Sequence, residues 1–394
     1  MLYGKEWQVP IFSEAEGKRR HKKIRELMVF RGIDCLIIAG HTGNYKGQWA
    51  DVRYVSNYNN WFDDEYCVFP LEAEPTLFVW AGQHEYWSAK VSWIKEIIGA
   101  RRSFRGLTYV EDIVKKIKEL GLERANLGIV SMRNMPAYTY AGLREHLPDA
   151  KFSEASDILR TCRLVMSDEE LEFVRKAGEC ADRGLEAMAK AARPGVTEYE
   201  LAAECERAMV ISGAEVGSFS LVGSKKWPNG WGLTHGGTNK KLRAGDIIFN
   251  EITPCFGGYY VQLCRPISLG TPPDDFMKAA EVYREMYLLT RREYRAGNTI
   301  AEIDAKVSKF GLSKRNFSVA TAAIQGTDSI LTYPLYEGEL KPGMVFVLHP
   351  WTNPSEAEMK AQKGHMGHIF GDTCIVTEGE AESVSRLPLD VTIV

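Results

Sequence analysis

A chain of 394 residues with 45% hydrophobic and 11% aromatic content has ample material for a large core and favours two domains over one. Lysine and arginine number 49 against 52 aspartates and glutamates, and a net charge of −3 excludes a general attraction to nucleic acid or to an anionic membrane. No apolar run reaches transmembrane length, Met1–Phe12 lacks the charged-then-apolar order of a signal peptide, and the eight cysteines are scattered with no Cys-x-x-Cys pair. The expectation is a cytoplasmic protein with reduced, mostly buried thiols.

Residues 19–31 alternate basic and apolar positions and stop at Gly32, as an amphipathic helix does. Ile33–Ala39 reads as a buried strand, and Tyr66–Pro70 and Thr76–Trp80 as two more. A helix over 110–120 and a strand over 126–130 complete a small α/β domain, assigned to residues 1–160. The second domain is assigned to 161–394. Ser167-x-x-Glu170 is a capping box for a helix running toward Ala192, Pro194-Gly195 stops it, and Thr197-x-x-Glu200 caps the next. Arg193–Leu201 and Arg295–Ile303 share one layout of helix end, glycine, threonine cap and glutamate, a weak internal repeat.

Residues 245–265 carry the most information. Two β-rich runs, Asp246–Thr253 and Gly258–Ile267, flank Pro254, Cys255, Phe256 and two glycines, which predicts a hairpin with Glu251 and Gln262 on opposite arms. This stretch resembles the hairpin of the pita-bread family, which includes methionine aminopeptidase, aminopeptidase P, prolidase and creatinase. In that family an aspartate on each arm grips metal; here those positions hold Glu251 and Gln262, while Arg265 keeps its place.

Three further segments carry the resemblance. His235, ten residues before Gly245, falls on a family histidine. Leu340–Pro350 is similar to a family segment in which His349 replaces a glutamate. In Gly367–Thr377, Asp372 and Thr373 stay, but Gly371 replaces the metal-bridging glutamate. The family's metal histidine belongs near Ala323-Ile-Gln-Gly326, where none is found. All five ligand positions therefore differ. A dinuclear peptidase is not expected, because two hard dications need several convergent carboxylates. Neither metal nor cofactor is expected.

Asn250 and Gly258-Tyr259-Tyr260 bring the chain nearest to creatinase, the metal-free branch. The resemblance implies an α/β (α+β) architecture of two domains, a C-terminal pita-bread domain, and a homodimer. It gives His235 the role of proton shuttle, since an imidazole can take a proton and return it; a carboxylate within reach would orient the ring, and Glu251 is the candidate. Creatinase's two cation-holding glutamates correspond to Gln262 and His349, and its N-terminal arginine to Asp63-Asp64-Glu65. The expected function is metal-independent hydrolysis of a C–N bond in a small polar molecule. Substrate binding is assigned to Gln262, His349, Asp64, Trp231 and Arg265, with Arg265 and Asp372 also read as support behind the groups that bind and polarise the substrate. An acidic trio beside a tryptophan wall would suit a cationic end.

Each residue has a plainer alternative: His235 a satisfied structural histidine, Glu251 an ion-pair partner of Arg265, His349 a core residue beside Pro350-Trp351. Asp63–Glu65 could be solvated surface, and Cys255 and Cys264 core thiols. A lyase using the same histidine, a non-catalytic binding module, and a mononuclear metal site of His349, His365 and His368 are the competing functions.

Overall fold

The computed structural model describes residues 10–40, 50–59, 64–100, 108–132, 135–227, 233–315, 322–324, 331–332, 336–350 and 369–394. The chain divides into two compact units, Met1–Leu164 and Val165–Val394.

The first unit runs α1 (Glu14–Arg31), β1 (Cys35–Gly40), α2 (Ala50–Ser56), β2 (Glu65–Pro70), β3 (Thr76–Trp80), α3 (Gln83–Val91), β4 (Glu96–Ala100), α4 (Thr108–Glu119), β5 (Asn126–Val130), α5 (Ala137–His146), β6 (Lys151–Glu154) and α6 (Ser156–Leu164). Helix α1 begins five residues before the sequence expectation, because the Ser13 hydroxyl accepts the backbone N–H of Glu16 and caps the first turn. The six strands form one sheet in the order β4-β3-β2-β1-β5-β6. Strand β1 is apolar throughout because both its faces are covered. Leu36 and Ile38 pack with Ile24 and Met28 of α1, while Cys35, Ile37 and Ala39 pack with Ile113 and Ile117 of α4.

The second unit runs α7 (Asp168–Ala191), α8 (Glu198–Ile211), β7 (Phe219–Lys225), β8 (Thr234–His235), β9 (Ile247–Thr253), β10 (Cys255–Phe256), β11 (Tyr259–Tyr260), β12 (Leu263–Cys264), β13 (Ile267–Ser268), α9 (Asp274–Glu293), α10 (Ile300–Arg315), β14 (Ala322–Ile324), β15 (Leu331–Thr332), β16 (Val345–Leu348), β17 (Gly371–Ile375), β18 (Glu382–Ser383) and β19 (Thr392–Ile393). Both predicted capping boxes form, at Ser167/Glu170 and Thr197/Glu200. The second copy of the repeat does the same, Thr299 and Glu302 exchanging the reciprocal bonds.

The duplication goes further than those caps. Leu242 is bonded to the segment before α8 (Gly195 N to Leu242 O 2.9 Å, Leu242 N to Val196 O 2.8 Å), and Leu340 is bonded in the same way before α10 (Gly297 N to Leu340 O 3.0 Å, Leu340 N to Asn298 O 2.8 Å). Each leucine is followed three residues on by a glycine with positive φ, Gly245 at 79° and Gly343 at 84°, which turns the chain into a buried strand. Two helix–helix–strand halves thus meet in one sheet of order β15-β14-β16-β17-β12-β9-β13-β19, with β7 joining β9 to β8. The hairpin tip docks on α7, where Phe173 meets Phe256 and Tyr259 edge-on and the Tyr259 hydroxyl donates to Glu170 at 2.7 Å. Among the described residues, no helix is long and apolar enough to cross a membrane.

Candidate active site

Strand pairing gathers the singled-out residues into one transverse row. Leu221 of β7 pairs with His235 on one side and with Glu251 on the other. Leu263 pairs with Ile252, and the same register carried one residue on sets Cys264 opposite Glu251. Cys264 pairs with Gly371. Leu348 pairs with Asp372, so His349 follows beside Gly371. Residues opposite one another across a sheet point to the same face, and alternate residues along a strand return to it. His235, Leu221, Glu251, Cys264, Gly371 and His349 therefore share a front face with Thr253, Gln262 and Thr373.

The centre of that face is a short polar cluster. Gln262 Nε2 donates to Glu251 Oε2 and to Thr253 Oγ1, each at 3.1 Å. Thr373 holds the Gln262 backbone by two bonds, from Gln262 N to Thr373 Oγ1 (2.8 Å) and from Thr373 N to Gln262 O (2.9 Å). Burial pushes the Glu251 carboxyl up to about 7, against the opposing effect of the Gln262 bond. The folded protein therefore holds this proton more tightly than the unfolded chain, and stability should fall as pH rises from about 4.5 toward 7. Glu251→Gln should remove that loss. At pH 8 the variant should exceed the parent by up to roughly 3 kcal/mol, and the two should converge at pH 4. Denaturant midpoints at both pH values check this; an equal difference at both would refute the assignment.

His349 lies across Gly371. A Cβ placed on residue 371 would come 2.5 Å from His349 Nε2 and closer still to Cδ2, so the imidazole fills the volume that any side chain at 371 would need. Its Nε2 stands 3.5 Å from Cys264 Sγ. The ring keeps a partial exposure, yet the protein packed around it, with the Arg265 guanidinium behind, holds its pKa down to about 3. The Cys264 thiol is pushed well above its ordinary range, first by burial and then by Glu251, so the pair is a neutral thiol and a neutral imidazole.

His235 sits on the two-residue strand β8, exposed, with its ring stacked on Phe219 (centroids 5.2 Å, interplanar 17°). It does not adjoin Glu251. Leu221 lies between them, and two strand spacings put their backbones about 10 Å apart. The expected orientation of His235 by Glu251 is therefore not built by adjacent strands; Leu221 of β7 stands between the two positions.

Arg265 stands where its supporting role with Asp372 expects it, behind the site, and not among the substrate contacts. It follows Cys264, so strand alternation turns it to the back face. There it is buried and pairs with Asp372 (Nη1 to Oδ1 2.8 Å, Nη2 to Oδ2 2.9 Å) and donates to the carbonyls of Cys264, Gly371 and Pro388. Tyr287 and Ser383 also donate to Asp372 Oδ2, at 2.6 and 3.1 Å. Its ion-pair partner is thus Asp372 rather than Glu251, and the network braces the sheet from behind. Asp64 and Glu65 belong to the first unit and are buried there, which removes the alternative of solvated surface for these two. Asp63, Trp231, His365 and His368 lie outside the described residues, as does Gln325-Gly326.

The donor set does not suit a pair of hard dications. Position 262 offers an amide, position 371 no side chain, and position 349 an imidazole engaged with a thiol; Glu251 is the one carboxylate of the polar cluster. Among the described residues no group of three or more His, Cys, Asp and Glu is arranged to hold a metal ion.

Two features of the site were not read from the sequence. One is the neighbouring of Cys264 and His349. The other is the equivalence of Glu251 and His349, each nine residues beyond its leucine, Leu242 or Leu340. That equal spacing was the available signal.

Comparison with known proteins places this geometry. The metallopeptidase family M24 matches residues 172–378, and the creatinase/prolidase N-terminal domain matches 20–165. A creatinase of a Bacillus species is 24% identical over 411 residues, covering 96% of this chain and 92% of that protein. An ectoine hydrolase of Halomonas elongata is 22% identical over 425 residues, covering 96% and 97%. The probable dipeptidase PepE of Mycobacterium tuberculosis is 27% identical over 256 residues, and that match spans 61% of this chain and 63% of the dipeptidase's length. Among solved structures, an Xaa-Pro dipeptidase from Bacillus anthracis superposes with a TM-score of 0.77 at 22% identity, covering 96% of this chain and all of that one. The last likeness carries the fold alone.

Proposed function

The chain belongs to metallopeptidase family M24, with a creatinase/prolidase-type N-terminal domain, and from that premise we propose that it is a metal-independent hydrolase of a C–N bond in a small polar molecule. The observation that carries the reading is the imidazole of His349 lying in the space of a side chain at 371, beside an amide at 262. Of the four positions that the family resemblance gives to metal carboxylates, 251 keeps a carboxylate, while 262, 349 and 371 hold an amide, an imidazole and no side chain. Creatinase and ectoine hydrolase, the relatives matched along nearly the whole chain, support hydrolysis by their names.

The substrate lies over Leu221, between His235 and Glu251. His235 accepts a proton from the attacking water and returns it to the departing nitrogen, so that one C–O bond forms, the C–N bond breaks and no net proton is consumed. Glu251, held by Gln262, hydrogen-bonds the reacting carbon's oxygen or nitrogen substituent. At a pKa of about 7 it can do so as donor or acceptor.

Turnover should survive exhaustive chelation. With a panel of amides, ureas and amidines as substrates, rates before and after EDTA dialysis should agree within a factor of about two. Loss of activity on dialysis with recovery on adding Mn, Co or Zn would overturn metal independence.

A further inference from the structure

We propose that Gly371 and His349 act as one specificity element, a glycine that clears room for an imidazole, which makes the pocket beside Glu251 select an uncharged ureido or amide group over a cationic guanidino or amidino group. The inference rests on the front face being the substrate site and goes beyond the reaction type to the substrate class.

The imidazole reaches its place only because residue 371 has no Cβ; with one, the ring and the side chain would share the same volume. There it stands 3.5 Å from Cys264 Sγ, on a residue that is half-buried overall. Around Glu251 the described residues of that face are Leu221, Thr253, Gln262, Cys264, Thr373 and His349, none of which brings a carboxylate. A desolvated cation is stable only against a compensating anion with satisfied hydrogen bonds. Among these residues Glu251 is the one candidate, and its Oε2 is already engaged by Gln262 Nε2 at 3.1 Å. A ureido group, in contrast, presents two N–H donors and a carbonyl acceptor that Glu251, Gln262 and a neutral imidazole can match without any charge to offset.

The nearly isosteric pair N-carbamoylglycine and guanidinoacetate tests this, because the two differ by C=O against C=NH₂⁺. Binding is measured by calorimetry at pH 7.5 on the full chain and on Gly371→Ala and His349→Glu. The parent should bind N-carbamoylglycine at least about tenfold more tightly. His349→Glu should reverse the order, and Gly371→Ala, by displacing the ring, should erase the preference. Should Gly371→Ala fail to fold, His349→Glu decides alone. Tighter binding of guanidinoacetate by the parent, a preference indifferent to His349→Glu, or no binding of N-carbamoylglycine would overturn the inference. Because the readout is equilibrium binding, it is separate from the hydrolysis reading. Ureido preference without hydrolysis would sink only the reaction, and hydrolysis with cation preference only this specificity.

Discussion

Replacing His235 by alanine is expected to lower the turnover number on any substrate the protein hydrolyses by a factor on the order of 10²–10⁴. The magnitude follows from removing a positioned proton acceptor and donor while leaving Glu251 and Gln262 in place. The thermal midpoint should move by no more than a few degrees, because the imidazole is exposed and stacks on Phe219 at the start of β7. Thermal melts and steady-state kinetics of the same preparation separate the two effects. Turnover within about threefold of the parent would remove His235 from the mechanism. A binding module of the same fold predicts a different pattern: no turnover in the parent, and partner capture that His235→Ala leaves intact. A lyase would lose activity in the same variant but would release its products without incorporating ¹⁸O from labelled water.

Arg265→Ala should be the most destabilising single change in the second unit, by about 3–5 kcal/mol. The loss comes less from the missing guanidinium than from what it strands. Asp372 would remain at 2% exposure with its countercharge gone, and the carbonyls of Cys264, Gly371 and Pro388 would each lose a donor. Arg265→Lys should recover only part of the loss, since an ammonium cannot reach a carboxylate and three carbonyls in one planar fork. The double variant Arg265→Met with Asp372→Leu should be more stable than Arg265→Ala, because no unpaired charge is left buried. Urea midpoints across the set decide this; a single alanine variant that unfolds with the parent would show the network to be dispensable. The same experiment distinguishes a brace from a substrate contact, because a residue that bound substrate would move the Michaelis constant before it moved the midpoint.

Several parts of the fold were legible because they are local. The Ser167/Glu170 and Thr197/Glu200 boxes form as spelled, since a cap needs only residues three apart. Strand β1 was readable because both its faces are apolar. The start of α1 was missed for a related reason: Ser13 and Glu16 precede the basic-apolar pattern that marked the helix, and the cap lies outside the periodicity.

The site was legible in its inventory but not in its arrangement. Glu251, Gln262, His349 and Gly371 were all identified from three sequence segments, and strand pairing does bring them to one face. Arg265 was also identified, yet its side chain faces the other way. One residue's difference from Cys264 reverses its direction, and sequence order alone does not reveal which alternation faces the site until the neighbouring strands are in register. Glu251 and His235 look like partners along the chain, but the intervening β7 separates them by a full strand.

The sequence by itself determined that residue 262 is an amide and residue 371 has no side chain, because identity at a position needs no geometry. It also determined the family, since four spaced segments in order suffice for that. Only the tertiary structure decided that residues 349 and 371 are coupled. They stand 22 residues apart in the chain, and only the pairing of β16 with β17 lays an imidazole over the missing side chain. Volume is conserved between neighbours in space, and packing has no memory of distance along the chain.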